Sequence, residues 1–510
     1  MRRGIRLVLA TLLSLLGGGT LAVDPSQSPS ESAHLNPRLD WTEASWASIE
    51  PSKELAWVKC YDGTFECARL QVPLDYSNPE SQSAAIALIR IKSSVSTDSP
   101  DYLGPVLYNP GGPGVSGIDL VLGIGQSLVA NVLGPEFDFV GFDPRGIARS
   151  TPRVSWYETR VERQLWSQPT VKELNHSSDN VASYWTRTKI TGQLAEERAS
   201  DILPYMQTDF TARDMLSIVE AHGREKLQFW GFSYGTVLGA TFATLFPDKV
   251  HWMVMDGVVD VDDYYIGDRL TALADSDDTL QWFFRDCHSA GPDLCSFYQP
   301  SPEAIEERLN NLYDAIIRAP VAVRTERSYG LVDYERLRQT VWDSLSFSFN
   351  NWIPLANGLA DLEAGNGTAL YRILETDPFE CSCDPSEYAF ENIEEGGLAV
   401  GCNDGAVAPE TLEEAERHYE NALRISEWGS VWGSSRLACS FWPDIPKTFF
   451  RGPISGNTSH PILLIGNTAD PVTPLQSAIT VSKAFPGSVV LTQDSAGVST
   501  VQLPFYPLIC

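Results

Sequence analysis

The stretch Gly231-Phe232-Ser233-Tyr234-Gly235 constrains this chain more than any other part of it. Leu227-Gln228-Phe229-Trp230 before it reads as a short buried strand. Thr236 to Phe246 after it, with Gly239, Ala240 and Ala243 on one side, reads as a helix. A strand that turns at once into a helix leaves no space for side chains at the flanking positions, so these must be small. The strained turn lifts the central serine hydroxyl clear of the sheet, over a helix N-terminus that favours negative charge. A bare Gly-x-Ser-x-Gly arises by chance. The strand before and the helix after distinguish a nucleophile elbow from an ordinary glycine-rich loop.

Length and composition set the frame. A chain of 510 residues is too long for one compact core, and implies two or three domains or one domain with a large insertion. A hydrophobic content of 43% with 14 Trp fits a packed globular protein. The formal net charge of −29 excludes nucleic acid and anionic membrane as partners of the mature form, because their phosphates would be repelled. Arg2, Arg3 and Arg6, the apolar run Leu7 to Leu16 and the small-residue site Thr20-Leu21-Ala22 read as a secretory signal over residues 1–22, too short to span a membrane. A secreted, extracellular protein is the expectation. Residues 23–56, polar and Ser/Pro-rich, read as a loose arm.

Nine cysteines agree with export. Cys60 and Cys67 flank the turn signal Asp62-Gly63, Cys287 and Cys295 can staple one loop, and Cys402 with Cys439 makes a plausible third pair. Cys381 and Cys383 stand too close to bridge each other, and an odd count leaves one cysteine over. Zinc is the competing reading, but no paired Cys-x-x-Cys or His-x-x-x-His spacing supports it, so neither metal nor cofactor is expected. Asn175, Asn366 and Asn457 begin glycosylation sequons.

Trp57 to Val72 reads as a hairpin, and Ala84 to Ile91 as a strand. Pro105 to Tyr108, Phe137 to Phe142, Val250 to Met255 and Pro461 to Ile465 read as short buried strands, with an amphipathic helix over Thr211 to His222. Strands alternating with helices predict an α/β fold, a mostly parallel sheet with helices on both faces. The pattern breaks between residues 260 and 453, where helical periods dominate: Arg269 to Cys287, Pro302 to Ile317, Tyr334 to Leu345 and Thr411 to Trp428. The expected organisation is a core over 57–259 and 454–497, interrupted by a large helical cap insertion over 260–453.

A serine nucleophile needs an oxyanion hole, a base and an orienting acid. Asn109-Pro110-Gly111-Gly112-Pro113-Gly114 follows a strand, and its glycines let backbone N–H groups approach an anionic oxygen. With the N–H of Tyr234 this loop would form the hole. Asp470, on a loop after the strand Ile462 to Ile465, is the candidate acid. Asp256, also at a strand end, is the runner-up and reads more readily as a turn residue.

Asn109 to Gly117, Asp143-Pro144-Arg145-Gly146, Thr211-Ala212-Arg213-Asp214-Met215, Gly231 to Gly235, Phe246-Pro247-Asp248 and Asp470-Pro471-Val472-Thr473-Pro474 occur in one order along the chain. In this the chain resembles the tripeptidyl aminopeptidase-like branch of the α/β-hydrolases, which includes relatives of proline iminopeptidase, from about Trp57 to about Asp494. The resemblance implies Ser233 as nucleophile, Asp470 as triad acid, and the backbones of Gly112 and Tyr234 as oxyanion donors. Gly111, Asp143 and Arg145 would be supports, and a peptide or small acyl compound the substrate. Ala148 departs mildly from the family's Arg-Gly-x-Gly.

A second departure is chemical. The family places its histidine after the last strand, here Ser488 to Thr492, on a segment that Asp494-Ser495-Ala496-Gly497 matches. The next residue is Val498, and no histidine follows His460. His34, His176, His222, His251, His288 and His418 read as solvated or structural. The chain is then either a pseudoenzyme or one whose tail, residues 498–510, is aberrant: Val498-Ser499 can be encoded by GTAAGT, an intron donor sequence. A secreted serine exopeptidase, an esterase on the same fold and a non-catalytic binding protein are the three functional expectations.

Overall fold

The computed structural model describes residues 41–167, 173–175, 177–376, 379, 390–406, 408–445, 450 and 452–498. The signal segment, His34, His176, Cys381, Cys383, Cys510 and the tail beyond Val498 lie outside the described residues.

Nine strands form one sheet in the order β1-β2-β3-β5-β4-β6-β7-β10-β11. They are β1 (Val58–Cys60), β2 (Phe65–Pro73), β3 (Ser83–Ile91), β4 (Gly104–Asn109), β5 (Phe137–Phe142), β6 (Leu227–Phe232), β7 (Val250–Asp256), β10 (Ile462–Ala469) and β11 (Val489–Ala496). The first three strands and β5 pair antiparallel, and every pair from β5 to β11 is parallel. All six residues of β4 are buried, as a strand covered on both faces requires. By contrast β11, at the sheet's edge, is largely exposed. A parallel sheet collects the C-terminal ends of its strands along one edge. The segments after β4, β6, β7, β10 and β11 therefore emerge side by side, and these carry the Gly111–Gly114 loop, Ser233, Gly257, Asp470 and Val498.

The segment between β7 and β10 is mainly helical. Its helices include Ser276–Ala290, Pro302–Arg318, Tyr334–Ser346, Ser348–Glu363 and Leu412–Ile425. Phe283, Phe284, Leu309, Leu345 and Trp428 form an apolar core of its own. Helix Ile393–Asp404 instead packs its Ala399 and Val400 into the core that covers the sheet, as helix Val261–Ile266 packs its Val261, Tyr264 and Tyr265. A small hairpin, β8 (Val321–Arg324) with β9 (Tyr329–Val332), has no counterpart in the sequence reading, since few of its residues are buried. The single helix expected over Arg269 to Cys287 is also split. Arg269 takes a left-handed φ of 60°. The Asp263 carboxylate accepts the N–H of Arg269 at 3.1 Å and that of Thr271 at 3.0 Å, capping a short turn, Leu270–Leu273, that ends before helix Ser276–Ala290 begins. The three cysteine pairs expected from spacing are all disulfides.

Candidate active site

Ser233 sits between β6 and the elbow helix Tyr234–Leu245 with φ 51° and ψ −121°, a conformation that costs of order 1–3 kcal/mol for a non-glycine residue. The surroundings hold it there. Its N–H donates to the Asp256 carbonyl at 3.1 Å, and its carbonyl accepts from Thr236 Oγ1 at 2.6 Å. The flanking glycines are steric necessities. A Cβ at Gly231 would lie 2.4 Å from the Gly235 carbonyl oxygen, and one at Gly235 would lie 2.8 Å from that of Asn109. The serine is half-buried. Among the described residues no side chain hydrogen-bonds its hydroxyl.

The loop after β4 lies directly against this turn. Gly111 and Gly112 both have φ 101°, open to glycine alone without strain. A Cβ on Gly111 would stand 2.6 Å from the Phe232 carbonyl oxygen, 3.0 Å from Ser233 Cβ and 3.2 Å from the Tyr234 nitrogen. Asn109 Oδ1 accepts the Gly111 N–H at 3.0 Å and fixes the loop's first bend. Asp143 secures its far end. Its carboxylate accepts from Ser116 Oγ, from the Ile118 N–H at 3.2 Å and from the Arg149 N–H at 3.0 Å. Burial raises the Asp143 carboxyl above its usual range, and the Arg149 guanidinium opposes this.

The hydrogen bonds of Arg145 lie elsewhere in the fold, away from Ser233. It is buried, and its guanidinium grips Asp214 in a bidentate pair at 2.8 and 2.6 Å. It also donates to the Leu74 carbonyl at 2.7 Å. It thereby ties helix Thr208–Ala221 to the chain leaving β2.

Asp470 follows β10, two strands along the sheet from β6, the strand that leads into Ser233. Backbone hydrogen bonds stitch the interval: Ser233 N–H to the Asp256 carbonyl, then Gly257 N–H to the Ile465 carbonyl at 3.1 Å. Asp470 is fully buried. Its Oδ1 accepts the N–H groups of Val472 (3.0 Å) and Thr473 (2.7 Å), and its Oδ2 accepts Thr473 Oγ1 at 2.5 Å. Burial pushes its carboxyl up to about 6, against the lowering effect of these donors. The loop after β11 closes on the same place. The Gly497 N–H donates to the Ala469 carbonyl at 2.9 Å, and Asn467 Nδ2 donates to the Gly497 carbonyl at 2.6 Å. These bonds hold Gly497 against the residues that lead into Asp470, and the N–H of the next residue, Val498, reaches across to the Ser346 carbonyl of the insertion at 2.9 Å.

No described histidine joins this group. His222 Nδ1 bonds the Ile218 carbonyl, His288 Nδ1 bonds that of Gln299, and His418 lies against Asp268 and Arg436. His251 and His460 face each other with ring centroids 4.8 Å apart, where β7 begins and just before β10, at the opposite end of the sheet from Ser233. Among the described residues, no group of three or more His, Cys, Asp or Glu could hold a metal ion.

Two family models match the chain. That of the alpha/beta hydrolase fold covers residues 104–380, and that of TAP-like proteins covers residues 424–504. This chain belongs to the α/β-hydrolase fold family. The TAP-like match runs beyond Val498, so the likeness extends past the point where the sequence reading ended it. Among curated relatives, the chain is 29% identical to serine protease Hip1 of Mycobacterium tuberculosis, over 95% of this chain and 88% of that protein. It is 28% identical to the tripeptidyl aminopeptidase of Streptomyces lividans, over 96% and 89%. It is 25% identical to carboxylesterase B of Mycobacterium tuberculosis, over 97% and 92%.

Some of the site's supports were beyond the sequence reading. Thr473 and Asn467 carry no motif beyond proximity to Asp470. Thr208 and Asp404, which meet beneath the elbow, are separated by 196 residues.

Proposed function

We propose that this protein is a secreted serine hydrolase on the α/β-hydrolase fold, built to release short peptides from substrate N-termini through an acyl-enzyme at Ser233. The strained Ser233, pressed against the Gly111 backbone at the parallel edge of the sheet, carries the reading. The peptidase names of two relatives favour a peptide over a simple ester, and three disulfides and three exposed sequons suit export. In the reaction, Ser233 Oγ attacks the carbonyl carbon while the N–H groups of Gly112 and Tyr234 receive the oxyanion. The carbon–nitrogen bond then breaks, and water later releases the acyl group. A base must take the serine proton and hand it to the leaving amine. In this chain position 498, the place beside Asp470 suited to that base, holds valine.

That valine favours a second reading, a hydrolase scaffold with little turnover. Losing one triad member leaves roughly 10³–10⁴-fold catalysis over water in well-studied cases. One experiment separates the two. The chain, Val498→His and Ser233→Ala are each treated with a fluorophosphonate and assayed on a tripeptide anilide and its N-acetylated form. Labelling at Ser233 that Val498→His accelerates, with preference for the unblocked peptide, supports the exopeptidase. Equal labelling of Ser233→Ala would sink the nucleophile. A Val498→His chain that stays inert, beside a transcript that encodes Val498, favours the scaffold.

A further inference from the structure

Helix Ile393–Asp404 touches both halves of the proposed oxyanion hole. Its first turns meet the glycine loop backbone to backbone. A Cβ at Gly114 would lie 2.5 Å from both the Gly397 nitrogen and the Ile393 carbonyl oxygen, and one at Gly397 would lie 2.6 Å from the Pro113 carbonyl oxygen. So close an approach tolerates no side chain on either element. The helix's last residue reaches the other half. Asp404 Oδ1 accepts the Thr208 N–H at 3.0 Å, and Oδ2 accepts Thr208 Oγ1 at 2.5 Å and Tyr264 OH at 2.9 Å. Thr208 Oγ1 lies 2.6 Å from the hydroxyl of Tyr234. Since the threonine proton points to the carboxylate, Tyr234 is the donor in that pair. Burial, with Asp404 nearby, raises the Tyr234 phenol well above its ordinary value, so it keeps the proton it donates.

The helix is itself anchored at this end. Cys402 is bridged to Cys439, and Asn403 Nδ2 donates to the carbonyls of Leu203 (2.7 Å) and Met206 (2.9 Å). At its start Asn392 ties it to the loop after β5, accepting from the Ala148 N–H at 2.8 Å and donating to the Gly146 carbonyl at 2.8 Å.

We infer that helix Ile393–Asp404 sets the spacing of the oxyanion hole: Gly397 seats the glycine loop, and Asp404 positions Tyr234 through Thr208. The ring of Tyr234 is the lever. Its hydroxyl is fixed on one side, and its backbone N–H, against Gly111, is the donor on the other. This rests on the reading of Ser233 as nucleophile. Gly397, Thr208 and Asp404 are positioning residues, since they act through the glycine loop and Tyr234 and donate nothing to the oxyanion. The arrangement also makes the intervening insertion answerable to the chemistry, because the helix that braces the hole is threaded through it.

Because no described histidine joins Ser233 and Asp470, any Ser233-dependent hydrolysis of p-nitrophenyl acetate reports chiefly on the hole itself. Thr208→Val removes the relaying hydroxyl at nearly constant volume. It should lower that kcat roughly five-fold with KM unchanged, the worth of one hydrogen bond, and Thr208→Ser should restore it. An unchanged kcat in Thr208→Val overturns the relay. If the parent chain shows no hydrolysis above Ser233→Ala, as the scaffold reading expects, the brace is decided by amide hydrogen exchange. Thr208→Val and Gly397→Ala should each speed exchange at both the Tyr234 segment and residues 393–404. Faster exchange confined to the mutated element overturns the brace.

Discussion

The two halves of this active site are finished to different degrees. On the β4–β6 side the Ser233 turn, the Gly111 loop, Asn109 and the helix ending at Asp404 form a closed set of steric and hydrogen-bonded constraints. On the β10–β11 side the proposed acid, Asp470, has its carboxylate satisfied within its own loop, and the following loop, ending at Val498, closes on the same segment. The first half is backbone geometry, which glycines and close approach maintain whether or not a reaction follows. The second half is a proton path, and one side chain can interrupt it without loosening the fold. A hydrolase scaffold and a working hydrolase can thus differ at a single side chain.

Filling the gap is the largest test of this contrast. Val498→His should raise kcat on a tripeptide anilide by roughly 10²–10⁴, the usual worth of a positioned general base, with little change in KM. Steady-state kinetics beside a Val498→Gln control checks this. A gain below ten-fold would mean that the unfinished half needs more than an imidazole.

Breaking the finished half should cost nearly as much. Gly111→Ala puts a methyl group 2.6 Å from the Phe232 carbonyl oxygen in a backbone with φ 101°. In the Val498→His background kcat should fall roughly 10²-fold, the effect of losing one oxyanion donor. The chain should also lose about 1–3 kcal/mol of stability. Retained turnover would show that the glycine loop is not the oxyanion hole.

The disulfides sharpen the comparison on the stability scale. Cys402–Cys439 closes 37 residues and anchors the bracing helix, whereas Cys287–Cys295 closes 8 in the insertion. By loop entropy, replacing the first pair with alanines should cost about 4 kcal/mol and the second about 2–3 kcal/mol. Only the first should also slow Ser233 acylation. Denaturant titration and fluorophosphonate labelling read the two effects separately.

What sequence could reveal follows the same division. Gly231, Gly235 and the Gly111-Gly112 pair were legible because local sterics permit nothing else, and the buried strands were legible as short apolar runs. The lack of a histidine after His460 was legible as a gap in an otherwise ordered set of motifs. The brace was not. Thr208 and Asp404 look like ordinary polar residues at helix ends until the fold brings them together. Helix Asn180–Ala199 escaped because its buried face is built from Asn180, Thr188, Gly192, Ala195 and Ala199, which make no apolar stripe. Helix Ser348–Glu363 carries Pro354 in its interior, a residue that reads as a stop.

The smallest effect concerns protons in the unfinished half. Among the described residues no cation pairs with buried Asp470, and its carboxyl is pushed up to about 6 by that burial. Asp209, beneath the elbow and near Asp404, is raised to about 6 for the same first cause. A carboxyl whose folded value lies above its unfolded one binds its proton more tightly in the folded state. Its contribution is present in full below pH 4 and is lost as pH rises through 6. Two units correspond to up to about 3 kcal/mol for each group, so between pH 4.5 and 7.5 stability should fall by a few kcal/mol. Asp470→Asn should flatten part of this slope, and Asp209→Asn another part. Val498→His should act like Asp470→Asn, since an imidazolium beside Asp470 draws its carboxyl back down. Thermal melts at the two pH values, taken on all four chains, measure the slopes. If Asp470→Asn leaves the slope unchanged while Asp209→Asn removes it, the acid of the unfinished half already has a partner for its charge, and the contrast between the two halves narrows to the single residue at 498.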